Sequence, residues 1–191
     1  MANPEHRLHS SARAELESVF PRLIGSSWKI KSPFERGYNC HAWGVCESRV
    51  RWEPSPDDYW PPGLRTGNVA VDYSLDNFIR AYSHVGFRVC ANGQFIFGFQ
   101  KIAIYSRHLG GIEFPQHTSR QTLLGRGWLS KMGYSEDIQH RSTQDLEGAV
   151  YGQVVLYMSR SWMRALRDSS SVWIRTTLEH WIYRWEHPKG I

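Results

Sequence analysis

The sequence predicts an α+β protein: an antiparallel sheet of four to six strands with helices packed on one side. Three observations carry this. Apolar residues at helical spacing fall early in the chain and again at its C-terminal end. Between Phe95 and Met158, strand-like runs follow one another with glycine turns between them. Nowhere do strands and helices alternate in the βαβ manner that a parallel sheet needs. With 191 residues and no internal repeat, residues 1–191 read as a single domain.

Residues 1–10 are polar and expected to fray. Ser11–Phe20 reads as a helix, with Ser11 as N-cap, Leu16, Val19 and Phe20 facing inward, and Pro21 as the stop. Ser27–Lys31 reads as an edge strand with Trp28 and Ile30 on one face. A short helix follows at Cys40, capped by Asn39, with Ala42, Trp43 and Cys46 turned inward. Residues 51–68 form a Pro- and Trp-rich loop. Its aromatics argue against disorder, so Trp52 and Trp60 either pin it to the core or wall a cleft.

Ser74 caps a second helix to His84, striped by Leu75, Phe78, Ile79 and Tyr82 and stopped at Gly86. Phe87–Cys90 is a short strand, and Asn92-Gly93 is a tight-turn signal. Strands follow at Phe95–Tyr105, Ile112–Thr122 and Trp128–Met132. The first two are separated by a two-glycine turn at Arg107–Gly111, the last two by Gly125 and Gly127. Asp137–His140 is a short extended piece, Thr143–Glu147 a helical turn, and Val150–Met158 a strong strand. Residues 171–187 form a C-terminal amphipathic helix, capped by Ser171, with a stripe of Trp173, Trp181 and Trp185.

Net charge is +5, and hydrophobic and charged residues make up 41% and 21%. No block of like charges marks a nucleic-acid tail. Met1–Ser11 is not a signal peptide, and no long apolar run spans a membrane. These features predict a cytoplasmic protein, or one exported without a signal peptide, with no membrane or nucleic-acid partner. Three cysteines at irregular spacing, Cys40, Cys46 and Cys90, do not form a disulfide framework. A zinc site from them lacks any C-x-x-C pair, so no metal or other cofactor is expected.

Cys40 draws attention because it opens a helix behind a turn and a cap, in Gly37-Tyr38-Asn39-Cys40-His41-Ala42-Trp43-Gly44. Backbone N–H groups and the helix dipole both favour the nucleophilic thiolate there. The plainer account is a small buried apolar side chain. A cysteine nucleophile needs a base, and His117, on a strand, is the first candidate. If the turn lies at Leu124-Gly125-Arg126, Ser119 pairs near Ser130 and His117 lies near Met132 or Gly133. Strand alternation then puts His117, Ser119 and Ser130 on one face. Ser130 or Asp137 is the candidate to orient the imidazole, and His140 is the second candidate base.

Several of these stretches together resemble a bacterial domain family of unknown function whose members carry a YNC-x-AWA box and a YWP box. The matching residues are Tyr38–Gly44, Trp52-Glu53-Pro54, Tyr59-Trp60-Pro61, Lys101–Tyr105, His117–Gln121, Trp128–Gly133, Asp137–His140 and Gly148–Gly152, in one order. More distantly the plan is similar to the papain-like cysteine hydrolases of the NlpC type, where a helix-opening Cys is followed by a strand, a His on the next strand, and a third polar residue. That resemblance implies a papain-like core, with Cys40 and His117 in the first two roles and Ser130 in the third. Asn39-Cys40-His41 and Ser130 depart from its usual residues.

The expected function is therefore a cysteine hydrolase or acyltransferase acting on an amide bond: a peptidase, amidase or protein deamidase, of the kind found among toxins and effectors. Asn39, Trp43, Trp52 and Trp60 would line its cleft. Its partners would be a peptide or protein substrate and an inhibitor or immunity protein. The alternative is a non-enzymatic binding module that presents the Trp-rich loop and basic surface to nucleic acid or an acidic protein.

Overall fold

The computed structural model describes residues 4–32, 35–133 and 135–163. Helix α1 spans Pro4–Val19, so it starts well before Ser11, which is an interior residue and not a cap. Strand β1 is Lys29–Ser32, and helix α2 is Cys40–Gly44, a single turn capped by Asn39. Helix α3 is Val69–Asp72, with no counterpart in the sequence reading. Helix α4 is Leu75–His84, capped by Ser74 as expected. Strands β2 (Arg88–Cys90), β3 (Phe99–Leu109), β4 (Ile112–Gln121), β5 (Trp128–Lys131), β6 (Asp137–His140) and β7 (Gln153–Ser161) follow. The expected helix at 171–187 lies outside the described residues.

The seven strands form one sheet in the order β1-β6-β5-β4-β3-β7-β2, every pair antiparallel. This corrects the expectation of four to six strands with papain-like helical packing on one side. Two physical reasons account for the difference. First, β7 inserts between β2 and β3, so Asn92-Gly93 does not close a hairpin. A Cβ on Gly93 would lie 2.7 Å from the Tyr157 ring and 2.9 Å from Trp128, so this backbone packs flat against aromatic faces that only glycine admits.

Second, both faces of the sheet are covered. Along β3, Ile102 and Ile104 join a core with Phe78, Ala81 and Tyr82 of α4, Ala42 of α2, and Trp52 and Trp60. The alternate residues Ala103 and Tyr105 join a second core with Leu16 of α1, Phe20, Leu23, Trp28 and Leu146. Alternation along a strand assigns the two sets to opposite faces. The sheet is thus a middle layer.

One buried side chain of β7 ties α2 and α4 to the sheet. Arg160 of β7 donates to the Val45 carbonyl at 3.0 Å and to the Val85 carbonyl at 3.1 Å, and its Nε donates to Gln100. Val45 and Val85 are the C-caps of α2 and α4, so one guanidinium satisfies carbonyls that both helix ends leave open.

Candidate active site around Cys40

The loop that carries Cys40 is held by Asn39. Its Oδ1 accepts from the Ala42 and Trp52 N–H groups, and its Nδ2 donates to the Trp52 carbonyl and to Glu53. One buried amide therefore caps α2 and anchors the start of the Pro- and Trp-rich loop. Gly44 lets α2 lie directly on β4: a Cβ there would sit 2.6 Å from Cγ2 of Thr118.

Cys40 is buried, and its thiol is pushed up to about 12. Burial is the largest cause, and Glu53 adds to it; the backbone N–H dipoles of Thr118, His41 and Cys40 itself act in the opposite direction. The expectation that the helix start would favour thiolate is thus overridden in this closed arrangement. A one-turn helix has little dipole to set against desolvation.

The neighbouring His41 uses Nδ1 to meet Thr118 Oγ1 at 3.0 Å and the Tyr82 hydroxyl at 3.2 Å, and those two oxygens lie 2.7 Å apart. Burial, and next the nearby Arg51, lower its pKa to about 3.

His117 precedes Thr118, so it leaves the sheet on the opposite face. Its partner across β3 is Tyr105, whose ring meets it edge-on at 5.3 Å. The Tyr151 ring stacks on it at 4.1 Å. His117 is fully buried and neither ring nitrogen has a hydrogen-bond partner among the described residues. Desolvation, followed by the neighbouring His41 and His140, holds it well below the ordinary histidine range. Tyr151 also lies within electrostatic range of Cys40.

The expected pairing of Ser119 with Ser130 is present, and His117, Ser119 and Ser130 do share a face. Ser130 does not orient His117, however. Its hydroxyl meets Ser119 at 2.6 Å and His140 Nε2 at 2.9 Å. His140 Nδ1 meets the Ser142 carbonyl at 2.7 Å, and Tyr105 closes the chain by receiving Ser119 and donating to Thr143. Burial lowers the His140 pKa to about 4. Asp137 is on the other face; its Oδ2 accepts from Ser32 and Tyr38, both at 2.7 Å.

Of the residues expected in a cleft, Asn39 is the buried cap. Trp52 and Trp60 are 1% and 6% exposed and belong to the core. Trp43 is half-buried, stacked on Tyr38 and covered by the Arg120 guanidinium at 3.7 Å. Sequence reasoning missed Tyr151, Tyr82 and Thr118 as site residues, because nothing local marks residues that α4, β4 and the segment before β7 bring near the cysteine. The glycines at 148 and 152 beside Tyr151 were the available signal. A cavity does open beside Tyr151, lined by Leu16, Phe20, Met132 and Val150.

Among the described residues, no group of three His, Cys, Asp or Glu is placed to hold a metal, and no helix is long and apolar enough to cross a membrane. A sequence model of the family described as "Domain of unknown function (DUF7689)" matches residues 29–159, and the chain belongs to that family. No curated protein and no solved structure matches it significantly.

Proposed function

We propose that this member of the DUF7689 family is a cysteine hydrolase or acyltransferase acting on an amide bond, with Cys40 as nucleophile and His117 as base. The observation that supports it best is the placement of the two groups about one peptide unit. The N–H of Thr118 acts on the Cys40 sulfur, and His117 is the residue on the other side of that peptide bond. His117 also keeps both ring nitrogens free of hydrogen bonds to the described residues. A buried imidazole left without partners costs stability unless it serves another purpose.

In this reading the resting arrangement is closed. Tyr151 covers His117 and must swing out before chemistry. His117 then takes the thiol proton, and Cys40 sulfur bonds to the carbonyl carbon of the amide. The N–H groups of Thr118 and Cys40 receive the developing oxyanion. His117 returns the proton to the leaving nitrogen as the C–N bond breaks, leaving a thioester. Water, or an acceptor amine, releases the acyl group and restores the thiol. Substrates are peptides or proteins, and an inhibitor or immunity protein would bind the same opening.

The test is release of amine or ammonia from peptide and glutamine amides, with the thioester trapped by mass spectrometry. Activity should vanish in Cys40→Ala and His117→Ala. Turnover that survives Cys40→Ala, or no acyl adduct even with Tyr151→Ala, would sink the proposal.

A further inference from the structure

We infer that Lys131 is the positioning cation of this site: its ammonium, kept beside the Asp137 carboxylate, holds the Cys40 thiolate once that forms. The inference deepens the cysteine-nucleophile reading and rests on it.

Ser130 pairs with Ser119 and shares its face, so Lys131, the next residue of β5, projects to the other face. Thr118, next to Ser119, does the same, and it directs its hydroxyl to His41 and Tyr82 on the α2 side. Its nitrogen lies 5.3 Å from the centre of the Tyr38 ring, two residues before Cys40. Helix α2 packs on β5 as well as on β4.

Lys131 is completely buried. A lysine is rarely buried unless it is paired. Its nitrogen donates to the Ser135 carbonyl, and Asp137 is its cross-strand partner. The Asp137 carboxylate is itself fixed by Ser32 and Tyr38 through Oδ2, while Oδ1 is buried without a hydrogen-bond partner among the described residues. Lys131 and Asp137 thus share the α2 face of the sheet, and Cys40 lies within electrostatic reach of both the ammonium and Tyr151.

The surrounding charges agree. Asp137, Glu35, Glu136 and Cys40 all favour the ammonium, against the burial that lowers its pKa. Glu53 opposes the thiolate. His41, Tyr82, Tyr151 and His117 are held neutral by burial and supply no countercharge.

Iodoacetamide labelling of Cys40 tests this in a Cys46→Ser, Cys90→Ser background, where Cys40 is the single thiol. Labelling is followed from about pH 6 to about pH 11, spanning the ordinary thiol and lysine values. Lys131→Met should slow it about tenfold at every pH below the lysine's own titration, the effect of removing one nearby opposite charge. A loosened fold exposes a buried thiol and speeds labelling, so slowing cannot come from unfolding. Lys131→Arg should keep the low-pH rate. At high pH it should outpace the wild type, because lysine loses its charge there and arginine does not.

A Lys131→Met rate at or above wild type overturns the inference. If that variant does not fold, superimposable lysine and arginine profiles overturn it instead. Labelling needs no turnover. Absence of amide cleavage with this charge signature intact defeats the hydrolase reading alone, and cleavage without the signature defeats the role of Lys131 alone.

Discussion

The Tyr151 ring lies flat on the His117 imidazole, with centroids 4.1 Å apart and planes 9° from parallel. A ring stacked this way removes water from the imidazole and denies a substrate the same space. Tyr151→Ala should therefore raise the rate of Cys40 alkylation at neutral pH several-fold, measured by intact-protein mass spectrometry. It should also bring the His117 titration back toward the ordinary histidine range, read by NMR. An unchanged labelling rate would mean that Tyr151 covers nothing of chemical use.

The loop that positions Tyr151 has little freedom at Gly152. Its φ is +77°, and a Cβ there would lie 1.8 Å from the Ser106 carbonyl oxygen. Gly152→Ala should destabilise the fold by about 2 kcal/mol or more in urea unfolding, since strain and a backbone clash add. Gly148→Ala meets no atom within 4 Å and should cost less.

Asn39 makes four hydrogen bonds across two segments. Asn39→Ala removes a cap and leaves buried partners unsatisfied, which should cost about 2–3 kcal/mol of stability. Asn39→Asp keeps the cap but loses both N–H donors and brings a carboxylate against Glu53, so it should not restore the wild-type midpoint.

Acid should unfold the chain through its buried imidazoles. His41 and His140 titrate at about 3 and about 4 in the folded protein and near 6.5 when unfolded. The unfolded state binds more protons between those values, so stability is complete above about pH 6.5 and falls as pH drops toward 4. His140 alone accounts for about 3 kcal/mol of that loss. Glu53, raised chiefly by burial, favours the folded state in acid and offsets part of it. Urea midpoints at about pH 7 and about pH 4.5 check the sign: equal midpoints would contradict neutral burial of these histidines.

Much of the local structure was legible from residue order. Asn39 and Ser74 cap the helices they were expected to cap, because a cap depends on its own side chain and the next three N–H groups. The hairpin pairing of Ser119 with Ser130 followed from where glycine allows a turn. Where local signals conflicted with long-range packing, packing prevailed. Asn92-Gly93 reads as a hairpin turn, but β7 offers both flanking strands a partner. Trp52 and Trp60 could have walled a cleft, yet the core below α4 takes their apolar area out of water.

Residue order alone therefore determined the capped turn carrying Cys40, the alternation of His117, Ser119 and Ser130, and the antiparallel character of the strands. These depend on backbone periodicity and on contacts a few residues apart. Only the tertiary structure decided that seven strands share one sheet covered on both faces. It alone placed His117 and Lys131 on opposite sides of that sheet, with Tyr151 over the imidazole. It also raised the Cys40 thiol, because desolvation is set by everything that closes around an atom and not by the residues beside it in the chain.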